Sequence, residues 1–186
     1  MSSQFFSLPI MKSMCSRADG PHILLVYEDI ESFREAYCNA AKAALPDDQI
    51  LLILTYYETP ETVKFYLAEA GIDVDRYART ESLFVIDSAQ QFFNGSIEYA
   101  LRFIELLHRK ARHRGRKGVA VVAAMDAFFY LGDRDLAERF EEMVLPAGNP
   151  GKFTCLLCAY HRDTWGALSG PAQKRIRAQH VETLSL

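Results

Sequence analysis

The sequence predicts an α/β fold in three layers, with a mainly parallel sheet covered by helices on both faces. Short apolar runs alternate along the chain with longer segments of helical periodicity. Crossover connections of this kind make consecutive strands parallel and place the helices against the two faces of the sheet. The run Val119–Met125 is apolar at every position, which is typical of a strand buried on both sides.

Five apolar runs are predicted to be the strands of this sheet. Each has the length of an ordinary strand and is followed by polar or turn-forming residues. The stretches between them are long enough to hold the helical crossovers that parallel strands need. The runs are Ile23–Tyr27, Ile50–Thr55, Leu83–Ile86, Val119–Met125 and Thr154–Tyr160.

Capping residues mark where the helices begin and end. Thr59 is a favourable cap, Pro60 suits the first helical position, and Gly71 falls where that helix should stop. A long amphipathic helix is predicted from Ser96 to Gly115, because apolar residues recur there at helical spacing. Two further helices are predicted, from about Asp133 to Pro146 and from Pro171 to about His180.

Length and composition fit one globular domain. The chain has 186 residues, 49% hydrophobic and 24% charged, with a net charge of −3. Residues 1–20 have no continuous apolar core and are predicted to form a loose N-terminal leader, followed by a single domain at 21–186. No run approaches the roughly 18 apolar residues of a membrane span, so we expect a cytoplasmic protein without membrane contact.

A phosphate-binding loop is missing after the first predicted strand. Nucleotide hydrolases need glycine amides and a lysine at this point to bind phosphates. Here Tyr27 is followed by Glu28, Asp29, Ile30 and Glu31, and carboxylates repel an anion. Neither common glycine-rich nucleotide motif occurs in the chain. We therefore expect no enzymatic activity and no cofactor.

Several segments resemble known families in the expected order. Ile50–Glu61, Leu67–Asp75 and Leu83–Asp87 resemble the middle of a KaiC/RecA-like domain. His22–Asp29 and Cys158–Arg162 are more similar to the MEDS domain, the sensory domain named for methanogens, methylotrophs and the regulator DcmR. The resemblance implies a RecA/KaiC-like fold without the phosphate loop. It also implies a sensory role, with hydrocarbon derivatives as the sensed compounds and an output that passes through a partner.

The catalytic positions of the KaiC-like family are altered in this chain. Tyr57 stands at the first of the family's paired glutamates and Glu58 at the second, while Asp126 only loosely matches its strand-ending aspartate. The resemblance thus argues against ATP hydrolysis. A divergent nucleotide-binding protein or ATPase that uses Glu58 and Asp126 stays open as an alternative, as does a scaffold that binds only protein.

The predicted ligand site follows from the parallel sheet. Ligands of open parallel sheets bind beyond the carboxyl ends of the strands, where this chain has tyrosines and charged residues. Arg162 is the expected counter-charge of a nearby glutamate, and the tyrosine faces suit an apolar or weakly polar small molecule. His22 begins the first strand at the opposite end and is expected to be structural. The predicted ligand-binding residues are Tyr27, Glu28, Tyr56, Glu58, Tyr160 and Arg162.

A basic segment at positions 108–117 is the second candidate surface. Six of its ten residues are Lys or Arg, and cations favour the end of a helix, so a solvated helix end is the first interpretation. A signalling protein with an anionic surface is the second. Nucleic acid is disfavoured because no aromatic residue is interleaved, and the sequence neither requires nor excludes a homodimer. The residues concerned are Arg109, Lys110, Arg112, Arg114, Arg116 and Lys117.

The cysteine pair Cys155 and Cys158 has the spacing of a redox or metal motif but lies in a predicted strand. Residues three apart on a strand face opposite sides, so the two thiols are expected to be buried, reduced and unable to chelate one ion together. No Cys/His group has the linear spacing of a structural zinc site. The sequence therefore predicts neither a metal site nor a disulfide.

Overall fold

The structure is a computed structural model that describes residues 8–15, 20–93, 97–130, 135–144 and 154–186. It contains one sheet and a series of helices between the strands. The strands are β1 (His22–Tyr27), β2 (Gln49–Thr55), β3 (Leu83–Asp87), β4 (Gly118–Ala124), β5 (Cys155–His161) and β6 (Glu182–Ser185). The helices are α1 (Leu8–Cys15), α2 (Ile30–Ala44), α3 (Pro60–Glu69), α4 (Val74–Arg79), α5 (Ser88–Phe93), α6 (Ile97–His113), α7 (Ala127–Tyr130), α8 (Asp135–Val144), α9 (Arg162–Ala167) and α10 (Gly170–Gln179).

The sheet has the strand order β3-β2-β4-β5-β1-β6, and all of its described pairings are parallel. The three-layer α/β prediction is therefore confirmed, and all five predicted strands are present. The sixth strand, β6, was not expected. It lies at the edge of the sheet with mostly exposed side chains, so its sequence carries little of the apolar signal of a buried strand.

Helices cover both faces of the sheet. The first-face layer, α1 to α4, packs on one set of strand side chains, and the second-face layer, α6 to α10, packs on the other. Along β5 the side chains alternate between the layers, as successive strand residues must. Cys155 faces the first layer and Cys158 the second. Both are buried and free, which confirms their predicted placement on opposite faces.

The predicted leader contains a packed helix. Residues 8–15 form α1, which lies against α2, and Met11 is fully buried in the core. Residues 8–15 of the predicted leader are therefore helical and packed, whereas residues 1–7 and 16–19 lie outside the described part of the chain. No helix among the described residues is both long and apolar enough to cross a membrane.

Three predicted helix boundaries have the expected chemistry. The Thr59 side chain accepts a hydrogen bond from the Thr62 amide at the start of α3. Gly71 follows the end of α3 with φ +87°, and Gly115 follows α6 with φ +66°. A left-handed backbone of this kind costs glycine least. The predicted cap at Ser96 and the boundaries at Asp133 and Pro146 lie outside the described residues.

The basic segment is only partly a solvated helix end. Arg116 follows α6, and its side chain is only 14% exposed. Its guanidinium donates to the Asp48 carboxylate at 3.0 Å and to the Thr80 carbonyl at 3.2 Å. Arg116 thus joins two turns at the amino-terminal edge of the sheet. This corrects the prediction for Arg116, since an arginine held on two sides is part of the folded structure.

The remaining basic residues divide into paired and unpaired groups. Lys110 and Arg114 both form ion pairs with Glu81, and Lys117 pairs with Asp47. Within the described part of the chain, no carboxylate is in ion-pair contact with Arg109 or Arg112, although both are exposed. Much of the positive charge is therefore neutralised locally, which weakens the attraction for an anionic partner.

Candidate functional site

A pocket of about 510 Å³ opens beyond the carboxyl ends of β1, β2 and β5. Its position agrees with the rule for ligand sites in open parallel sheets. The connection from β1 leads to β2 on one side, and the connection from β5 leads to β6 on the other, so the helices diverge around this point. The lining residues are Tyr27, Ile30, Arg34, Tyr57, Glu58, His161, Asp163 and Thr164.

Tyr27 forms the inner wall of the pocket. It is the last residue of β1 and is almost fully buried. Its ring stacks on Phe33 at 5.1 Å between centroids and meets the edge of His161 at 5.5 Å. Its hydroxyl donates to Asp126 Oδ2 at 3.0 Å. Burial first, and the nearby Asp126 charge second, raise the pKa of Tyr27, so this residue acts as a hydrogen-bond donor.

Asp126 lies directly behind Tyr27, beyond the end of β4. The carboxylate is buried and accepts the backbone N–H of His161 at 3.0 Å. The Thr164 side chain also hydrogen-bonds to it. Burial raises the pKa of Asp126, while these hydrogen bonds oppose the shift. Asp126 therefore connects three strand ends and has its oxygens occupied by protein donors.

Glu58, which is buried, and Arg34, which is partly exposed, form a charged pair on the opposite wall. Arg34 Nε donates to Glu58 Oε1 at 2.9 Å, and the Tyr37 hydroxyl donates to Oε2 at 3.3 Å. The Arg34 guanidinium also lies 3.9 Å over the Tyr66 ring. The pair is held on both sides, so it presents a fixed dipole to the pocket rather than a mobile base.

The place where a phosphate loop would bind an anion is occupied by the protein's own carboxylates. Asp29 caps α2, and its Oδ1 accepts the Ser32 amide at 2.7 Å. This hydrogen bond lowers the pKa of Asp29. Glu28 forms an ion pair with Arg162 in which both side chains are largely exposed. The Ser32 amide, one of the helix amides that could attract a phosphate, is thus already satisfied by Asp29.

The open side of the pocket is aromatic. Tyr57 is 52% exposed, and its ring meets Tyr56 at 4.7 Å and His161 at 6.1 Å in edge-to-face contacts. His161 is held in place because its Nε2 donates to the Glu28 carbonyl at 3.0 Å. Since a carbonyl only accepts, that nitrogen carries a proton. The mouth therefore presents the rings of Tyr57 and His161, and the His161 ring is fixed by its hydrogen bond to Glu28.

The structure brings together some of the six predicted ligand-binding residues and separates others. Tyr27 and Glu58 line the pocket. Glu28 and Arg162 stand beside it as the predicted ion pair, although both are exposed. Tyr56 is half-buried and packs against both core layers, so it supports the mouth through Tyr57.

Tyr160 is a correction, because it does not face the pocket. Its hydroxyl donates to Glu141 Oε1 at 2.9 Å within the second-face layer. In the parallel register Tyr27 pairs with His161, whereas Tyr160 pairs with Val26. Paired residues share a face and neighbours alternate, so His161 points toward Tyr27 and Tyr160 points away. The residue that belongs in the site is His161.

Three lining residues carried no signal in the sequence. Ile30 and Arg34 lie on the first two turns of α2, four residues apart and so on one helical face. Thr164 lies in α9 beyond β5. The helical spacing of Ile30 and Arg34 identifies a shared face, but no residue pattern shows which strand end that face covers.

Fold and site together define an α/β domain with a RecA/KaiC-like fold, in which Glu28, Asp29 and Glu31 follow the first strand. Among solved structures of this fold is an uncharacterized Pyrococcus horikoshii protein in complex with an unknown peptide. It has a TM-score of 0.69 and 12% identity, and the match covers 89% of this chain and 76% of that chain. A KaiC-like protein of Pyrococcus horikoshii OT3 has a TM-score of 0.60 and 14% identity, over 90% of this chain and 71% of that chain.

The flagellar accessory protein FlaH from Methanocaldococcus jannaschii is also similar in fold. Its TM-score is 0.50 at 10% identity, over 95% of this chain and 76% of that chain. At these identities the likeness establishes the fold alone. No curated protein sequence matches the chain.

The family is established by sequence. The model of the MEDS domain, the methanogen/methylotroph DcmR sensory domain, matches residues 21–179. The chain therefore belongs to the MEDS family, as its sequence motifs predicted, and the family description suggests a sensory role.

Proposed function

We propose that this domain is a non-catalytic sensor that binds a small molecule in the pocket between Tyr27, Tyr57 and the Arg34–Glu58 pair. The observation that carries the proposal is the formed pocket itself, about 510 Å³ in volume. This volume is within the range of small-molecule sites, which combine apolar walls with a few fixed polar groups. The membership of a sensory family supports the same role.

The lining favours an uncharged or cationic ligand with a flat or apolar part. The rings of Tyr57 and His161 offer contact surfaces at the mouth. Asp163 adds a carboxylate, while the positive charge of Arg34 is already matched by Glu58. An anion entering the pocket would meet carboxylates without a free counter-charge. Hydrogen bonds from the fixed polar groups would then orient the ligand.

The two acids that a residual ATPase needs are both held by protein donors. Asp126 accepts hydrogen bonds from Tyr27 and His161, and Glu58 accepts from Arg34 and Tyr37. A general base needs a free lone pair directed at its substrate, and a metal ligand needs one directed at the ion. These contacts support a structural rather than a catalytic use of both acids. The sensor's output is then expected to pass through a signalling protein.

Native mass spectrometry of freshly purified protein tests the proposal. We expect the wild-type chain to carry a noncovalent small-molecule adduct, which Tyr57→Ala removes or reduces at least about tenfold, since an exposed aromatic wall is lost. Tyr99→Ala is the matched control, because Tyr99 is a tyrosine of α6 with 53% exposure, close to the 52% of Tyr57, and does not line the pocket.

Two results would contradict the proposal. One is an adduct that survives equally in the Tyr57 and Tyr99 variants, which would place the ligand elsewhere. The other is wild-type protein that shows no adduct and gains no thermal stability from any member of a panel of neutral and cationic small molecules. Ligand binding to the folded state alone must raise the melting temperature.

A further inference from the structure

A second group of polar side chains lies in the second-face layer, outside the lining of the pocket. It comprises His22 of β1, Glu141 of α8, Cys158 of β5 and His180, which ends α10. One potential ligand atom of each residue lies within 4.8 Å of the other three. The side chains of His22, Glu141 and His180 are at most 1% exposed, and Cys158 is fully buried.

Four distances within this group lie within about 0.3 Å of those in a tetrahedral ligand set. His22 Nε2 lies 3.0 Å from Glu141 Oε2 and 3.2 Å from Cys158 Sγ. The same Glu141 oxygen lies 3.4 Å from Cys158 Sγ and 3.6 Å from His180 Nε2. Zinc binds nitrogen and oxygen at about 2.0 Å and sulfur at about 2.3 Å, so its tetrahedral ligands are about 3.3–3.8 Å apart.

Backbone carbonyls fix the orientation of both imidazole rings, His22 and His180. His22 Nδ1 lies 3.2 Å from the Gln179 oxygen, and His180 Nδ1 lies 2.7 Å from the Ile176 oxygen. A carbonyl oxygen only accepts, so each Nδ1 carries the proton and each neutral ring directs the lone pair of Nε2 into the group. Metal-binding histidines are held by this kind of contact.

Glu141 is oriented in the same way. Its Oε1 accepts the Tyr160 hydroxyl at 2.9 Å, which leaves Oε2 facing the two histidines and the thiol. A carboxylate ligand that is hydrogen-bonded through its second oxygen is common around protein-bound metals. The buried Tyr160 therefore has a definite part in this group.

Hydrogen bonds within the group cannot provide a partner for all four of these ligand atoms. The Cys158 thiol has one proton and can donate it to Glu141. If His22 also carried a proton on Nε2, it could donate a second hydrogen bond to Glu141. His180 Nε2 would still lack a hydrogen-bond partner among the described residues. A buried lone pair without a donor is unfavourable, because it has lost its hydrogen bonds to water. A single divalent cation engages all four atoms at once.

We propose that His22, Glu141, Cys158 and His180 form a closed zinc site. The mixture of two imidazoles, a thiolate and a carboxylate suits this borderline-soft ion. On binding, Cys158 loses its thiol proton to solvent and the sulfur becomes a thiolate ligand. Four protein ligands leave no open position, so the ion is structural. It joins α8 and the end of α10 to β1 and β5.

The linear sequence shows no such site because each ligand comes from a different element. Cys155, the nearby cysteine that creates the apparent metal motif, faces the first layer and is not one of the four. The strand placement of both cysteines is therefore compatible with zinc on Cys158 alone.

The experiment measures metal on the full chain. Purified protein is exposed to Zn²⁺, dialysed and analysed for zinc by elemental mass spectrometry, and a parallel sample receives Co²⁺ for absorption spectroscopy. We expect about one zinc per chain, together with the visible bands of tetrahedral Co²⁺ and a thiolate-to-cobalt charge-transfer band. Cys158→Ser should abolish that band and weaken zinc binding at least about tenfold. Cys155→Ser, a buried cysteine on the opposite face of the same strand, should leave both unchanged.

A second pair of variants keeps the test independent of folding defects at Cys158. His180→Gln should also lose zinc, whereas His113→Gln, which changes an exposed histidine at the end of α6, should retain it. The proposal is wrong if the wild-type chain holds no zinc after loading and gives no charge-transfer band. It is equally wrong if a folded Cys158→Ser protein keeps the band. Neither result depends on whether the pocket binds a ligand.

Discussion

At the scale of single residues, the hydrogen bond between Tyr27 and Asp126 holds the side chain that forms the inner wall of the pocket. Both side chains are almost fully buried, and the hydroxyl donates directly to the carboxylate. The protein places a carboxyl group in a poorly solvated position, where only hydrogen bonds offset the loss of water. Changes to either partner should therefore affect stability more than their position at the edge of the sheet implies.

The first prediction concerns Tyr27→Phe. The ring remains, so stacking on Phe33 is retained, but Asp126 loses one donor. We expect the free energy of unfolding to fall by about 1–2 kcal/mol, since the carboxylate keeps its other donors. Urea unfolding measures this loss. Tyr99→Phe, at an exposed position, should change stability by less than about 0.5 kcal/mol. Equal effects of the two variants would contradict the assigned hydrogen bond.

The second prediction is a pH dependence caused by Asp126. Burial raises the pKa of this carboxyl in the folded state above its ordinary value of 3.8. The folded state therefore favours the protonated form, and that stabilisation is lost as the pH rises from about 3.8 through the raised pKa. Asp126→Asn does not ionise. Its free energy of unfolding, relative to wild type, should increase across this window and then level off.

Urea titrations at several pH values measure this difference. Only the change of this difference with pH tests the prediction. The substitution also alters hydrogen bonding, but that effect is the same at every pH. A difference that does not change with pH would show that Asp126 has an ordinary pKa in the folded protein.

The residue types at the pocket were predictable from the sequence. Which side chains of β5 point toward the pocket was not. The sequence identified Tyr27 and Glu58 because they follow apolar runs. It could not distinguish Tyr160 from His161, since every residue from Cys155 to Tyr160 is buried. A strand covered on both faces has no alternation from which its register can be read.

At the scale of elements, the amino terminus of α2 determines which ligands the fold accepts. The Asp29 carboxylate accepts a hydrogen bond from the Ser32 amide, and the preceding Glu28 adds a second negative charge, paired with Arg162. The third prediction is that isothermal titration with ATP–Mg shows no binding in the micromolar range, because the phosphate position is already occupied by negative charge. Micromolar affinity would instead support the divergent nucleotide-binding alternative.

The fourth prediction separates two arginines of the basic segment. Arg116→Glu places a carboxylate beside Asp48 and the Thr80 carbonyl, and we expect a loss of about 1 kcal/mol or more. Arg112→Glu alters an exposed side chain of the same charge and should stay within about 0.5 kcal/mol of wild type. Thermal unfolding compares the two. Similar melting temperatures would show that the Arg116 contacts contribute little in solution.

Helix boundaries were predictable where capping chemistry is local. Thr59 and Gly71 mark α3 in the sequence as they do in the structure. The packed helix α1 and the edge strand β6 were not predicted, because each depends on contacts with distant residues. Arg34 is a similar case, since its partner Glu58 follows a different strand.

At the scale of the whole molecule, the sheet order explains why the site needs almost the entire chain. β1 carries Tyr27, yet its neighbours are the last two strands, β5 and β6. The alternation of strands and helices predicted a parallel sheet. The order of the strands depends on which faces pack together, and the sequence indicated it only through the resemblance to KaiC-like domains.

The fifth prediction is that a fragment of residues 1–150 does not fold. It contains β1 but lacks both strands that pair with it, so the fully buried Ile23, Leu24 and Leu25 have no sheet to join. We expect no cooperative urea unfolding and rapid proteolysis, in contrast to the full chain. A fragment with a cooperative transition would show that the remaining strands form a stable unit alone.

The position of β1 between β5 and β6 also matters while the protein is being synthesised. Glu28, just after β1, precedes its hydrogen-bond partner His161 by 133 residues. At about 5–20 residues per second, a ribosome needs on the order of ten seconds to make that stretch. During this interval the nascent chain exposes an apolar strand with two unpaired edges, which is a target for chaperones and for aggregation. The pocket is therefore completed only after β5 has emerged.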